Sequence, residues 1–249
     1  MPSTPRHPPL PGCIVGIDLA WGERNGDGLC WLEAAPGGGA RVVETAHVFG
    51  DEALFQWLTE RMPPAPAPAM LLFDAPLICP NATGSRPADR LAQLMFRKFH
   101  AGPHPANAGR CGRPLRLAAA MVARFGCTIG WRGARTARLA VEVFPHPATV
   151  RWFGLERIVK YKRGPIAARR AEFARLQGLV RAFLPGHFPG LAESAALEET
   201  LTVPWTKPNE DRLDAVLCAL VGYQHWRDDG RTSEILGDEI TGFIVVPTA

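Results

Sequence analysis

The chain has 249 residues, 47% hydrophobic and 21% charged, with 28 Lys and Arg against 24 Asp and Glu and a net charge of +4. That composition belongs to a folded globular protein with a sizeable core, and excludes disordered and fibrous classes. No apolar stretch approaches a membrane span, and the Pro-rich residues 1–11 lack the apolar centre of a secretory leader, so a flexible tail on a cytoplasmic protein is expected.

Residues 12–19 (GCIVGIDL) read as a first strand, followed by a polar turn over 21–28. Residues 29–34 and 41–48 read as two more strands, and short connections make the three an antiparallel meander. Helical spacing runs from 51 to 62, with Leu54, Phe55, Leu58 and Met62 on one side. The PPAPAP segment at 63–68 must be extended and leads into residues 69–74, a continuously apolar run expected to be a strand buried on both faces. A helix is predicted over 87–100 with Leu91, Leu94, Met95 and Phe99 inward, then a polar loop over 101–114 and a helix over 115–125. Residues 139–144 read as another buried strand, ended by Pro145. Long helices over 165–184 and 210–226 and a closing strand over 242–246 complete the chain. The pattern predicts an α/β fold: a mixed sheet of three antiparallel strands followed by parallel ones, with helices on both faces. Residues 12–249 are expected to form one domain with a helical insertion at about 85–135.

Five acids stand out against this pattern. Asp18 and Asp74 end apolar strands, Glu142 lies inside one, and Asp211 and Asp214 sit three residues apart on one face at the start of an apolar helix. Each alone has a structural explanation, as a turn former or a helix-dipole partner. Together, at the ends of core elements, they suggest a carboxylate cluster for hard cations, because a buried carboxylate is costly unless hydrogen-bonded or metal-bound. Carboxylates suit Mg2+ or Mn2+, and a pair of such ions can activate water and stabilise a leaving oxygen.

Basic residues are unevenly placed. Residues 90–141 hold ten Lys and Arg and no Asp or Glu, and a second basic stretch at 151–175 contains Lys160, Lys162, Arg163, Arg169 and Arg170. Clustered cations of this kind neutralise phosphates, although solvated helix faces look the same in sequence. Six scattered cysteines without a CxxC pair suggest reduced thiols. His100, His104, Cys111 and Cys127 are a candidate zinc set, though without paired knuckles.

Gly-Ile-Asp near the start, Phe-Asp-Ala-Pro-Leu, Glu-Val-Phe-Pro, Lys-Tyr-Lys and Asp-Arg-Leu-Asp-Ala occur in order along the chain. This set, spanning nearly all of 12–247, resembles the domain-of-unknown-function 429 family, described as predicted nucleases of the ribonuclease H-like fold. The resemblance implies a ribonuclease H-like sheet. In that wider superfamily, acids come from the first strand, the fourth strand and a late helix, here Asp18, Asp74 and Asp214. The Asp211 and Asp214 pair is also similar to the late-helix pair of Holliday-junction resolvases, whereas Glu142, on the expected fifth strand, departs from the usual placement.

The expectation is therefore a nuclease acting on nucleic acid with two Mg2+ or Mn2+ ions. Asp18 would bridge the ions, Asp74 and Asp214 would complete the ligands, and Asp211 and Glu142 would tune or join the cluster. Arg97, Lys98, His104 and Asn107 become candidate substrate contacts, with His104 alternatively a proton donor. Lys160 and Lys162 would grip phosphates while Tyr161 stacks on a base. Two alternatives keep the fold: a non-catalytic nucleic-acid or nucleotide-binding module, and a small-molecule phosphotransferase. The second is disfavoured by the chain's length and by the lack of a clear phosphate-cradling Gly-rich loop.

Overall fold

Apolar runs long enough to bury both faces build the central sheet. The computed structural model describes residues 12–35, 39–189, 191 and 194–248. The expected tail and residues 36–38 of the connection between the second and third strands lie outside that set. Strands β1 (Gly12–Asp18), β2 (Asp27–Ala34) and β3 (Ala40–Val48) pair antiparallel. Strand β4 (Ala69–Phe73) pairs parallel to β1, and β6 (Arg138–Glu142) pairs parallel to β4, with the short β5 (Thr128–Ile129) at the edge. The result is an α/β fold with a mixed six-stranded sheet in the order β3-β2-β1-β4-β6-β5.

Alternation along each strand divides the core in two. Ile14, Cys30, Leu32, Met70, Leu72, Leu139 and Val141 face helices α4 (Pro145–Phe153), α5 (Ile166–His187) and α7 (Lys207–Arg227), with α6 (Ala195–Thr200) on that side. Val15, Ile17, Leu29, Leu71, Phe73 and Ala140 face α1 (Asp51–Arg61) and α3 (Gly112–Phe125).

Two glycines set how closely α7 approaches. A Cβ on Gly16 would lie 1.9 Å from the Ala215 carbonyl oxygen, and one on Gly28 would lie 1.9 Å from that of Asp211. The helix therefore rests on bare strand backbone, which no larger residue would permit.

Three elements depart from the sequence reading. Helix α2 (Pro87–Phe96) turns Leu91 and Leu94 outward, 43% and 73% exposed, and buries Ala88, Ala92 and Phe96. Its small-residue face packs on Leu236, Ile244 and Val246 of a hairpin, β7 (Ser233–Asp238) and β8 (Gly242–Pro247). The expected closing strand thus joins a separate two-stranded sheet, touching the main one through a bridge between Val143 and Val245. Pro145 opens helix α4 instead of ending a segment, since a proline in the first turn sacrifices no helical hydrogen bond.

Two of the ten cations in the basic run at 90–141, Arg113 and Arg138, are internal scaffolding, and the other eight are exposed. Arg138 is buried, donates to the Phe125 carbonyl, and donates at 3.0 Å to both Pro63 and Ala67, tying down the extended Pro-rich segment. Arg113 clamps the turn that follows β1: it donates to Asp27 at 2.8 and 2.6 Å, to the Ala20 carbonyl at 2.5 Å and to Asp51 at 2.8 Å. Asp27 also accepts from the Ala20 amide at 2.9 Å. All six cysteines are free and buried.

Removing Arg113 would strand Asp27, which is wholly buried. Arg113→Met should destabilise the fold by about 3–5 kcal/mol, the usual cost of an uncompensated buried charge. Chemical denaturation of Arg113→Met beside an Arg113→Met/Asp27→Leu double variant checks this: the double variant should recover much of the loss.

Candidate functional site

Register brings two acids together. Ile17 pairs with Phe73, and the Asp74 amide donates to the Ile17 carbonyl at 2.9 Å. Asp18 and Asp74 therefore leave the carboxyl ends of adjacent parallel strands, about 4.8 Å apart in backbone. Ile17 and Phe73 face α1 and α3, so alternation turns both acids toward the α7 side. Glu142 pairs with Phe73 and takes the opposite face. The strand ends open into a cavity of about 640 Å³, where ligands of open α/β sheets gather.

Asp18 and Asp74 line that cavity and are partly exposed. Neither carboxylate has a hydrogen bond or ion pair among the described residues. Burial raises Asp18 well above the usual carboxylate range; Lys162 opposes the shift, and Asp214, Asp74 and Asp211 reinforce it. Burial likewise pushes Asp74 up to about 6, with Lys162 opposing and Asp214 adding.

Asp214 sits behind this wall, fully buried on α7. Tyr161 donates to its Oδ1 at 2.5 Å, and the Lys162 ammonium lies 2.6 Å from its Oδ2. That second contact is an ion pair without hydrogen-bond geometry, so Oδ2 is satisfied by charge alone. Burial works against the Lys162 charge, but Asp214, Asp18 and Asp74 outweigh it and raise its pKa well above the ordinary value. Lys162 itself reaches the cavity, with His104, Lys160 and Arg163 also on the lining. His146, another lining residue, is lowered to about 4 by burial and then by Lys162, which leaves it neutral at pH 7.

A match to the family described as a protein of unknown function (DUF429) covers residues 16–239. The chain belongs to this family. Comparison with curated proteins finds no match, and neither does comparison with solved structures.

The remaining acids of this DUF429 chain are already committed. Arg86 grips Glu142 at 2.8 and 2.6 Å, the Leu77 amide donates to it at 3.1 Å, and Arg86 also binds Asp89 at 2.8 Å. Glu142 is thus a structural anchor at the cavity edge. Asp211 lies 3.2 Å from His47 Nε2 and 2.6 Å from the Lys207 ammonium, away from the cavity lining.

Several expected contacts need correction. Tyr161 is buried beneath Phe173 and His146 and bonded to Asp214, so its ring has no free face for a base. Asn107 donates to the Gly84 carbonyl at 3.0 Å and shapes its own loop. Arg97 and Lys98 lie on an exposed 3-10 turn (Arg97–Phe99) outside the cavity lining. The zinc set does not assemble: Cys111 packs with Cys79, Cys127 lies in the core facing α1 and α3, and His100 and His104 are exposed. Among the described residues, no three His, Cys, Asp or Glu side chains form a metal-holding group.

Sequence reasoning missed Arg86 and His146, and noted Arg163 within the basic stretch without naming it as a site residue. Arg163 follows Lys160-Tyr161-Lys162 directly and was readable as part of that basic run. Arg86 has a near partner in Asp89 at i+3, but its contact with Glu142 lies 56 residues away, and nothing beside His146 marked it as part of the cavity wall.

The raised carboxyls make a pH prediction with a definite sign. A carboxyl with a folded pKa near 6 and an unfolded value near 3.8 favours the protonated folded state, so its contribution is lost as pH rises through that window. Asp74→Asn should therefore be more stable than the native chain at pH 7.5, by roughly 1–3 kcal/mol after allowance for partial exposure. The difference should vanish near pH 4. Paired thermal melts at the two pH values measure it, and a constant difference would contradict the assignment.

Proposed function

We propose that this protein is a metal-dependent hydrolase of phosphodiester bonds in nucleic acid. The observation that carries the reading is the pair of unpaired carboxylates, Asp18 and Asp74, on the wall of a cavity whose lining also bears His104, Lys160, Lys162 and Arg163. The strand order β3-β2-β1-β4-β6, antiparallel and then parallel, supports a ribonuclease H-like classification of the sheet.

The donor set suits Mg2+ or Mn2+, which one or two carboxylates commonly hold together with waters and substrate phosphate oxygens. Such an ion acts as a Lewis acid and lowers the pKa of bound water. Asp18 and Asp74 are its protein ligands in this reading. Backbone register, which sets the two acids on adjacent strand ends, supports this, as does the cost of burying them unpaired, which a bound cation would offset. Lys160, Arg163 and His104 offer donors to phosphate oxygens, which position the strand without reading its sequence. His146, neutral at working pH, is available to accept a proton.

Purified protein with Mn2+ should cut at least one of single-stranded, duplex, hybrid or branched nucleic acids. Asp18→Asn should lower that rate by at least about 100-fold, the upper end of what even an outer-shell change costs. Loss of cutting across the whole panel, or an Asp18→Asn protein of native rate, would overturn the proposal.

A further inference from the structure

Accepting the metal-dependent reading above, we infer that Lys162 takes the place of a second divalent ion, so that the site holds one metal per chain between Asp18 and Asp74. Asp214 is the acid a second ion would need, and both its oxygens are spoken for, one by the Tyr161 hydroxyl at 2.5 Å and the other by the Lys162 ammonium at 2.6 Å. Tyr161 cannot swing away to release it: the ring is 2% exposed and packed between Phe173 and His146.

Charge leads to the same count. Asp18, Asp74 and Asp214 bring three negative charges and Lys162 returns one positive, leaving two, which a single Mg2+ or Mn2+ cancels. A second ion beside a buried ammonium would overshoot in a medium where unscreened charge is costly. The nearby acids are already engaged elsewhere: Asp211 with His47 and with Lys207, which Glu210 shares, and Glu142 with Arg86, which Asp89 shares.

Lys162 is also placed to do what the missing ion would do. Its side chain is 30% exposed and lines the cavity, so its ammonium presents donors to a phosphate oxygen while still held by Asp214. An ammonium serves as a compact point charge at such a position.

Mn2+ alone is the probe, titrated at pH 7.5 and counted from the electron paramagnetic resonance signal of the free ion. Native protein should bind one Mn2+ per chain, and Lys162→Arg, which keeps the charge, should also bind one. Lys162→Met, which frees Asp214 Oδ2 and leaves three negative charges, should bind two. Two ions in the native protein overturn the inference while leaving the metal-dependent reading intact, and need no variant to fold. A count in Lys162→Met other than two, in protein whose circular dichroism is native, also overturns it. Absence of Mn2+ binding to the native chain removes the underlying reading itself.

Discussion

The contact on which the site depends is that of helix α7 with naked strand backbone. Gly16 and Gly28 let the carbonyls of Ala215 and Asp211 come down onto β1 and β2 with no side chain between. The distance from helix axis to sheet is therefore set by main-chain atoms, which cannot change rotamer or compress. Asp214 consequently falls directly behind the end of β1, within electrostatic reach of Asp18. A carboxylate delivered to that depth has no water to solvate it, and Tyr161 and Lys162 are the response.

Buried charge elsewhere in the molecule follows the same logic and so defines what is unusual about the cavity. Asp27 is matched by Arg113, and Glu142 and Asp89 share Arg86. Asp211 is matched by Lys207 and His47, and Asp214 by Lys162 and Tyr161. In each case the partner is within hydrogen-bond distance, as expected where leaving a charge unpaired costs several kcal/mol. Asp18 and Asp74 break the pattern: both are desolvated enough to have raised pKa values, yet no donor from the described residues reaches them. A fold that gives each of these other buried acids a cationic partner, and leaves Asp18 and Asp74 open at adjacent strand ends, presents the two to something arriving from the cavity.

The sheet was legible because strands buried on both faces leave continuous apolar runs, and β1, β4 and β6 do so. The acids at their ends were legible for the same reason, since polarity there interrupts an otherwise unbroken pattern. Interactions across long sequence separations were not legible. Arg86 reaches Glu142 over 56 residues and Tyr161 reaches Asp214 over 53, so nothing near Tyr161 marked it as a buried hydrogen-bond donor instead of a stacking platform. Helix α2 failed differently. Its Leu residues outweigh its Ala residues in any hydrophobic count, but the hairpin beside it approaches closely enough that only the Ala side fits. Pro145 was misread because proline ends strands and starts helices with equal ease; here β6 stops at Glu142 and Pro145 opens α4.

The cysteines carry a practical consequence. Every one of the six is enclosed, and burial pushes their thiols up, to about 12 for Cys13 and about 11 for Cys127. The thiolate is the reactive form, so the closed fold is chemically silent toward alkylating reagents. Cys218 stands on α7 against the Ile17 carbonyl, while Cys111 and Cys79 sit under the loops near the cavity. The rate at which each is labelled therefore reports how often its own neighbourhood opens, giving the native sequence six built-in clocks of local breathing on both sides of the sheet.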